Sequence, residues 1–241
     1  MNHKKAFLNL SVRALNKFGF SEVLDNRDIL ETNNIISQFD FDLHDVEQSM
    51  ELHRIHADPL EIKRIIWFIP GINNPYWGGI HTILRFADFF KESHGVENCF
   101  AVTGNYSEAA IRNSISIAFP ILKNEEIFFL KRQRDLEKLP SGDVSICSQW
   151  KTAFFSLKFN KVKRKFYFIQ DYEPLFYPAG SISALIEETY RFGFFGITNT
   201  ISLKKIYDSY YGGCSISFTP SIDRTIFYPP LSRKNDDKKT V

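Results

Sequence analysis

The chain has 241 residues, 44% of them hydrophobic and 24% charged, so it can bury a sizeable core and does not have the composition of a disordered polymer. Lys and Arg total 30 against 28 Asp and Glu, and the resulting net charge of +2 speaks against a nucleic-acid binder. The aromatic weight, 24 Phe with 10 Tyr and 3 Trp, points to broad packed layers or to a site that grips flat ligands.

No apolar run reaches the roughly 18 residues that would cross a bilayer. Asn9, Ser11 and Arg13 interrupt the only stretch that could serve as a signal-peptide core, so the expected location is the cytoplasm. Cys99, Cys147 and Cys214 are far apart and odd in number, with neither zinc nor redox spacing, and they predict no metal site and no disulfide framework. Cys147 and Cys214 lie in apolar runs, where buried, inert thiols are expected. Internal repeats and low-complexity blocks are absent from the sequence.

Residues 1–60 read as a helical or irregular N-terminal extension. Phe7, Leu8, Leu10, Val12, Leu15 and Phe18 have the spacing of one amphipathic helix ending near Gly19. His53 and His56 share a helix face with the spacing of a metal pair, but no cysteine or strand-end carboxylate accompanies them, and a solvated face is the expectation.

From Arg64 onward, apolar runs of strand length alternate with helix-length segments. The runs are Ile65–Ile69, Cys99–Val102, Ile127–Leu130, Val144–Cys147, Phe166–Ile169, Gly196–Thr198 and Ile216–Phe218. Crossover helices fit at 80–92, 107–119, 149–159, 182–192 and 202–211. Short runs apolar on both faces suit strands buried in a parallel sheet. The expected fold is therefore α/β: a Rossmann-like, doubly wound parallel sheet over residues 61–230, followed by a polar tail at 231–241. Such sheets bind ligands beyond the carboxyl ends of their strands, so the residues after each run are the candidates.

The first run opens into a Gly/Pro/Asn-rich loop that reaches Gly78, Gly79 and His81. Paired glycines let a backbone approach a ligand, and a helix N-terminus offers N–H groups to an anion or hydroxyl. A tight turn with glycines at positive φ explains the pair equally well. The spacing fits neither a dinucleotide nor a Walker fingerprint, so no cofactor is expected. After the fourth run, Ser148 reads as an N-cap. The fifth run ends in Gln170-Asp171-Tyr172-Glu173-Pro174, where in an extended chain Asp171 and Glu173 face the same side and can hold sugar hydroxyls or supply a base. Asn199 and Thr200 either line the cleft or cap the next helix. The basic run Lys158, Lys161, Lys163, Arg164 and Lys165 reads as a solvated loop, with contact to anionic lipid headgroups at the inner face of the plasma membrane as a second reading.

The block FIQDYEPLFYPAGS, the FGITNT segment after it, the IPGIN…GGIHT loop and the closing FTPSIDRTIFYP resemble family 4 glycosyltransferases of GT-B fold, closest to bacterial rhamnan-synthesis rhamnosyltransferases of the WsaF type. The resemblance covers roughly residues 60 to 230. It implies the N-terminal, acceptor-binding half of a two-domain enzyme of surface polysaccharide synthesis that needs no metal. It implies a nucleotide-sugar donor of the dTDP-rhamnose kind held by a C-terminal domain, which this chain lacks, and a saccharide acceptor, free or lipid-linked. The chain would then be inactive alone. Gly78 and Gly79 would face the donor phosphates and the reacting sugar, Asp171 would contact the acceptor as the catalytic candidate, and Tyr172 and Glu173 would shape the acceptor pocket. Gln170 stands where many relatives carry His, so a histidine proton shuttle is not available there. A non-catalytic Rossmann-like module that binds a sugar or another chain is the alternative reading.

Overall fold

A computed structural model of the chain describes residues 37, 41–72, 74–104, 107–222, 224 and 228. The helix expected at 7–18 and the tail at 231–241 lie outside the described residues. Seven strands form one fully parallel sheet: β1 (Arg64–Pro70), β2 (Glu97–Thr103), β3 (Glu126–Leu130), β4 (Val144–Cys147), β5 (Arg164–Ile169), β6 (Phe195–Thr198) and β7 (Cys214–Ser217). Their order is β3-β2-β1-β4-β5-β6-β7. β1 carries the register of the whole sheet, pairing Trp67 with Phe100 on one side and with Ile146 on the other.

The sheet grows first to one side of β1 and then to the other. Right-handed crossovers therefore put the connecting helices of the two halves on opposite faces. α2 (Gly78–His94) and α3 (Glu108–Ala118) cover one face, where Ile83, Leu84 and Ala87 pack with Ile65, Trp67, Ile69 and Phe168. α4 (Trp150–Lys158), α5 (Ser181–Thr189) and α6 (Ile201–Tyr211) cover the other, with Trp150, Phe154, Ile186 and Tyr207 against Phe68, Cys147 and Tyr167. The full burial of Ile65–Ile69 explains why the first strand reads as an unbroken apolar run.

The edges depart from that pattern. β7 is an edge strand, and Ile216 is 68% exposed. Cys214, expected to be buried, is exposed for the same reason, whereas Cys147 is buried in the centre of the sheet.

The N-terminal extension contributes α1 (Leu43–Ile55), which packs on β5 and α4. Asp42 caps it, accepting from the Asp45 N–H while the Asp45 carboxylate accepts from the Asp42 N–H. The basic run is not merely solvated: Lys158, Arg164 and Lys165 clamp this helix, while Lys161 and Lys163 bind neighbouring loops. Lys158 pairs with Asp45 at 2.6 Å, and Arg164 donates to the carbonyls of His56 and Asp58. Lys161 donates to the carbonyls of Glu137 and Leu139, and Lys163 pairs with Asp143 at 2.7 Å. Lys165 is fully buried and donates to Ser49 Oγ, the Leu157 carbonyl and Asn160 Oδ1 at 2.7–3.0 Å. Burial pushes its ammonium down to about 7. The His53 face is likewise not solvated: its ring stacks on Phe195 at 4.4 Å and its Nε2 accepts from the Lys165 N–H. All five basic residues thus have partners within the chain, at the amino ends of the strands and away from the crest where ligands of such sheets bind.

Candidate functional site

The strand order reverses between β1 and β4, so the crevice for a ligand lies above their carboxyl ends. Three segments meet there: the β1–α2 loop, the β4–α4 turn and the loop after β5.

Gly78 and Gly79 are the first two residues of α2. Neither has positive φ, so the tight-turn explanation of the pair does not apply. A Cβ on Gly78 would meet nothing within 4 Å, and one on Gly79 would lie 3.4 Å from the Gln170 side chain. What the glycines provide is a helix end without side chains. The N-cap position is Trp77, which makes no side-chain capping bond, so the first-turn N–H groups face the crevice without a side-chain cap. His81 does not face the crevice. It is buried, with Nδ1 3.1 Å from the Pro75 carbonyl and its ring against Phe119, and it pins the loop before the helix.

Gln170 donates from Nε2 to the Gly79 carbonyl at 3.2 Å and so ties the loop after β5 to the start of α2. Asp171 is exposed and turned to solvent. The expected pairing of Asp171 with Glu173 on one side does not form, because the chain is not extended there: Glu173 opens a 3-10 turn, Glu173–Phe176, set by Pro174. The Glu173 carboxylate turns inward and accepts from the Trp150 N–H at 2.8 Å, at the start of α4, and from the Tyr167 hydroxyl at 3.3 Å. Burial, with the like charge of Asp171 adding to it, pushes this carboxyl up to about 7. Tyr172 lies half-buried among Tyr190 and Tyr211, and its hydroxyl donates to Glu187 at 3.1 Å.

Ser148 is not the cap of α4. Gln149 occupies that position, and the Thr152 hydroxyl accepts from the Ser148 and Gln149 N–H groups. Ser148 Oγ and Asn199 Oδ1 are enclosed and have no hydrogen-bond partner among the described residues. They follow β4 and β6 and flank Gln170, which follows β5. Thr200 takes the capping role after β6, its hydroxyl accepting from the Leu203 N–H at 3.1 Å. Among the described residues no group of three His, Cys, Asp or Glu side chains could hold a metal ion.

Residues 64–200, from the first residue of β1 to the cap of α6, match the family described as the N-terminal domain of WsaF. The chain belongs to this family. It is also 35% identical over 170 residues to the O-antigen biosynthesis protein RfbC of Myxococcus xanthus, across 70% of this chain and 13% of that protein. The chain therefore spans about an eighth of that relative's length. The match to the WsaF N-terminal domain takes in the crest loops after β1, β4, β5 and β6, whereas α1 lies outside it.

This WsaF-type domain carries crest residues that the sequence reading did not single out as site residues. Trp77 is 57% exposed in the β1–α2 loop, and Phe176 is 64% exposed after β5. Large aromatic faces left in water beside polar groups suit the apolar faces of sugar rings. The signal available in the sequence was position alone, since each follows a buried strand within a few residues.

Proposed function

We propose that this domain binds the saccharide acceptor of a glycosyltransferase of bacterial surface polysaccharide synthesis. The observation that carries the reading is the uncapped, side-chain-free start of α2 at the switch point, joined by the Gln170–Gly79 bond to the loop that exposes Asp171. Family membership and the likeness to RfbC, an O-antigen biosynthesis protein by name, support the polysaccharide context. In this reading Asp171 contacts an acceptor hydroxyl, Trp77 stacks on a sugar ring, and Ser148 and Asn199 supply polar contacts after a small shift of the crest. The α2 N–H groups face the phosphates of a nucleotide-sugar donor, of the dTDP-rhamnose kind, held by a second domain of a GT-B enzyme. Transfer needs that second domain, so the 241-residue chain by itself binds acceptor without turnover.

Calorimetric titration of the chain with rhamno-oligosaccharides tests this. Weak binding is expected, and Asp171→Ala should reduce the affinity about tenfold, or ~1.4 kcal/mol. The melting temperature should stay unchanged, because Asp171 is exposed. Unaltered affinity in that variant would sink the assignment of Asp171.

A further inference from the structure

Ser148, Gln170 and Asn199 are the first residues after β4, β5 and β6. Ile169 pairs with Thr198, and the Asn199 N–H extends that ladder by donating to the Ile169 carbonyl at 3.2 Å, so Asn199 stands level with Gln170. Cys147 pairs with Tyr167, so Ser148 stands level with Phe168, two residues below Gln170. Side chains alternate between the two faces of a strand, and Phe168 packs in the core under α2. The three polar side chains therefore share the α2 face of the sheet, in keeping with the bond from Gln170 to the Gly79 carbonyl. They form a row across three neighbouring strands, about 10 Å wide.

Hydroxyls elsewhere at the top of the sheet are satisfied. Thr103 donates to the Ile69 carbonyl at 3.4 Å, and Thr198 donates to the Thr200 carbonyl at 3.1 Å. Ser148 Oγ and Asn199 Oδ1, on either side of Gln170, depart from this: both are enclosed and have no partner among the described residues. An enclosed oxygen without a partner costs stability, so the fold alone gives no reason for either. The row is uncharged, and the side chain that follows it, the exposed Asp171, is acidic.

We propose that Ser148, Gln170 and Asn199 are specificity-determining residues that read the hydroxyls of a neutral sugar ring and discriminate against an acidic one. This deepens the acceptor reading and rests on it. A sugar hydroxyl both donates and accepts, so it can give its proton to Asn199 Oδ1 or to the Gln170 amide oxygen and accept from the Ser148 hydroxyl. A carboxylate oxygen only accepts. It leaves Asn199 Oδ1 unpartnered, finds no cation in the row to replace its lost water, and meets the acidic Asp171 beside it. Gln170 is the member placed to move. Its side chain is held across the crevice by the one bond to Gly79, and rotating away from that carbonyl keeps its amide in the row.

Calorimetric titration of the 241-residue chain with a rhamno-oligosaccharide and with an oligogalacturonate of equal length tests this. The parent chain should bind the neutral sugar at least about tenfold more tightly. Ser148→Ala, Asn199→Leu and Gln170→Met keep the shape of each side chain and remove its hydrogen-bonding groups. Each should weaken rhamno-oligosaccharide binding about three- to tenfold. Ser148→Ala and Asn199→Leu should do so with a melting temperature equal to or above that of the parent, because each deletes an enclosed oxygen without a partner among the described residues. Lower melting in these two variants, with or without lost affinity, would give them a structural role and overturn the inference. Equal or tighter binding of the acidic sugar, or parent affinity in both variants, overturns it as well. If Asp171→Ala still weakens binding in that case, the acceptor reading outlives the row. Failure of the parent chain to bind either oligosaccharide removes the acceptor reading, and the role of the row with it.

Discussion

The two ends of this sheet handle polar groups in opposite ways. At the amino ends, five basic side chains in one short run all find partners within the chain, and even the buried Lys165 uses three acceptors. At the carboxyl ends, a helix start lacks a side-chain cap, Asp171 points to solvent, and Ser148 Oγ and Asn199 Oδ1 are enclosed without a partner among the described residues. A burial pattern that satisfies polar groups stabilises; one that leaves them waiting costs stability and is kept where a ligand completes it. The base therefore reads as the part that holds α1 on the sheet, and the crest as the part that leaves polar groups open, which is where the proposed binding site lies.

The largest effect belongs to the base. Lys165→Ala removes one side chain and strands the Leu157 carbonyl and Ser49 in a buried space, while the exposed Asn160 loses one contact. A loss of about 3 kcal/mol in urea unfolding is expected, with oligosaccharide affinity of the folded protein untouched. An equally large fall in affinity would show that base and crest are not separate.

A smaller effect sharpens the contrast through pH. Burial, followed by the charges of Lys165 and Arg164, lowers the His53 ring to about 4. The folded state therefore binds its proton less tightly than the unfolded chain does. This stability is complete above about 6.5 and is lost as pH falls toward about 4, on the order of 1–2 kcal/mol after allowance for partial exposure. Glu173 runs the other way: its contribution is complete below about 4.5 and is lost as pH rises through about 7. The two overlap, so the comparison must be between variants. His53→Phe keeps the stack on Phe195 and should lose less stability than the parent between pH 6.5 and 4.5, in denaturant titrations at each pH. An identical slope in both proteins would remove His53 from the account.

The central strands were legible because parallel strands buried on two faces leave unbroken apolar runs, as at Ile65–Ile69, and each boundary fell within a few residues. The β5 loop was legible as polar chemistry placed at once after such a run. Four things were not. α1 carries no strong apolar stripe, since its one buried residue is Ser49 and much of its docking is by hydrogen bonds and ion pairs beside the contacts of Val46 and His53, so periodicity could not place it. The basic run looked solvated because a sequence shows charges and not the acceptors that meet them, some of them more than 100 positions away. The inward turn of Glu173 depends on the N-terminus of α4, which adjacent-residue reasoning does not bring near it. The same holds for the Gln170–Gly79 bond across 91 positions.

The smallest effect is the most discriminating for the crest. Gly78 has ordinary helical backbone and open space around a Cβ, so neither φ nor packing demands glycine there. On stability alone Ala is the better residue, and Gly78→Ala should raise it by up to about 0.5–1 kcal/mol. Folding therefore does not require a glycine at this position. If close approach of a ligand to the first turn of α2 does, Gly78→Ala should melt slightly higher in calorimetry while its saccharide affinity drops. A variant that gains stability and keeps full affinity would show that the crest tolerates a methyl where the ligand is placed, and would move the binding surface away from the start of α2 toward Asp171 and the exposed ring of Phe176.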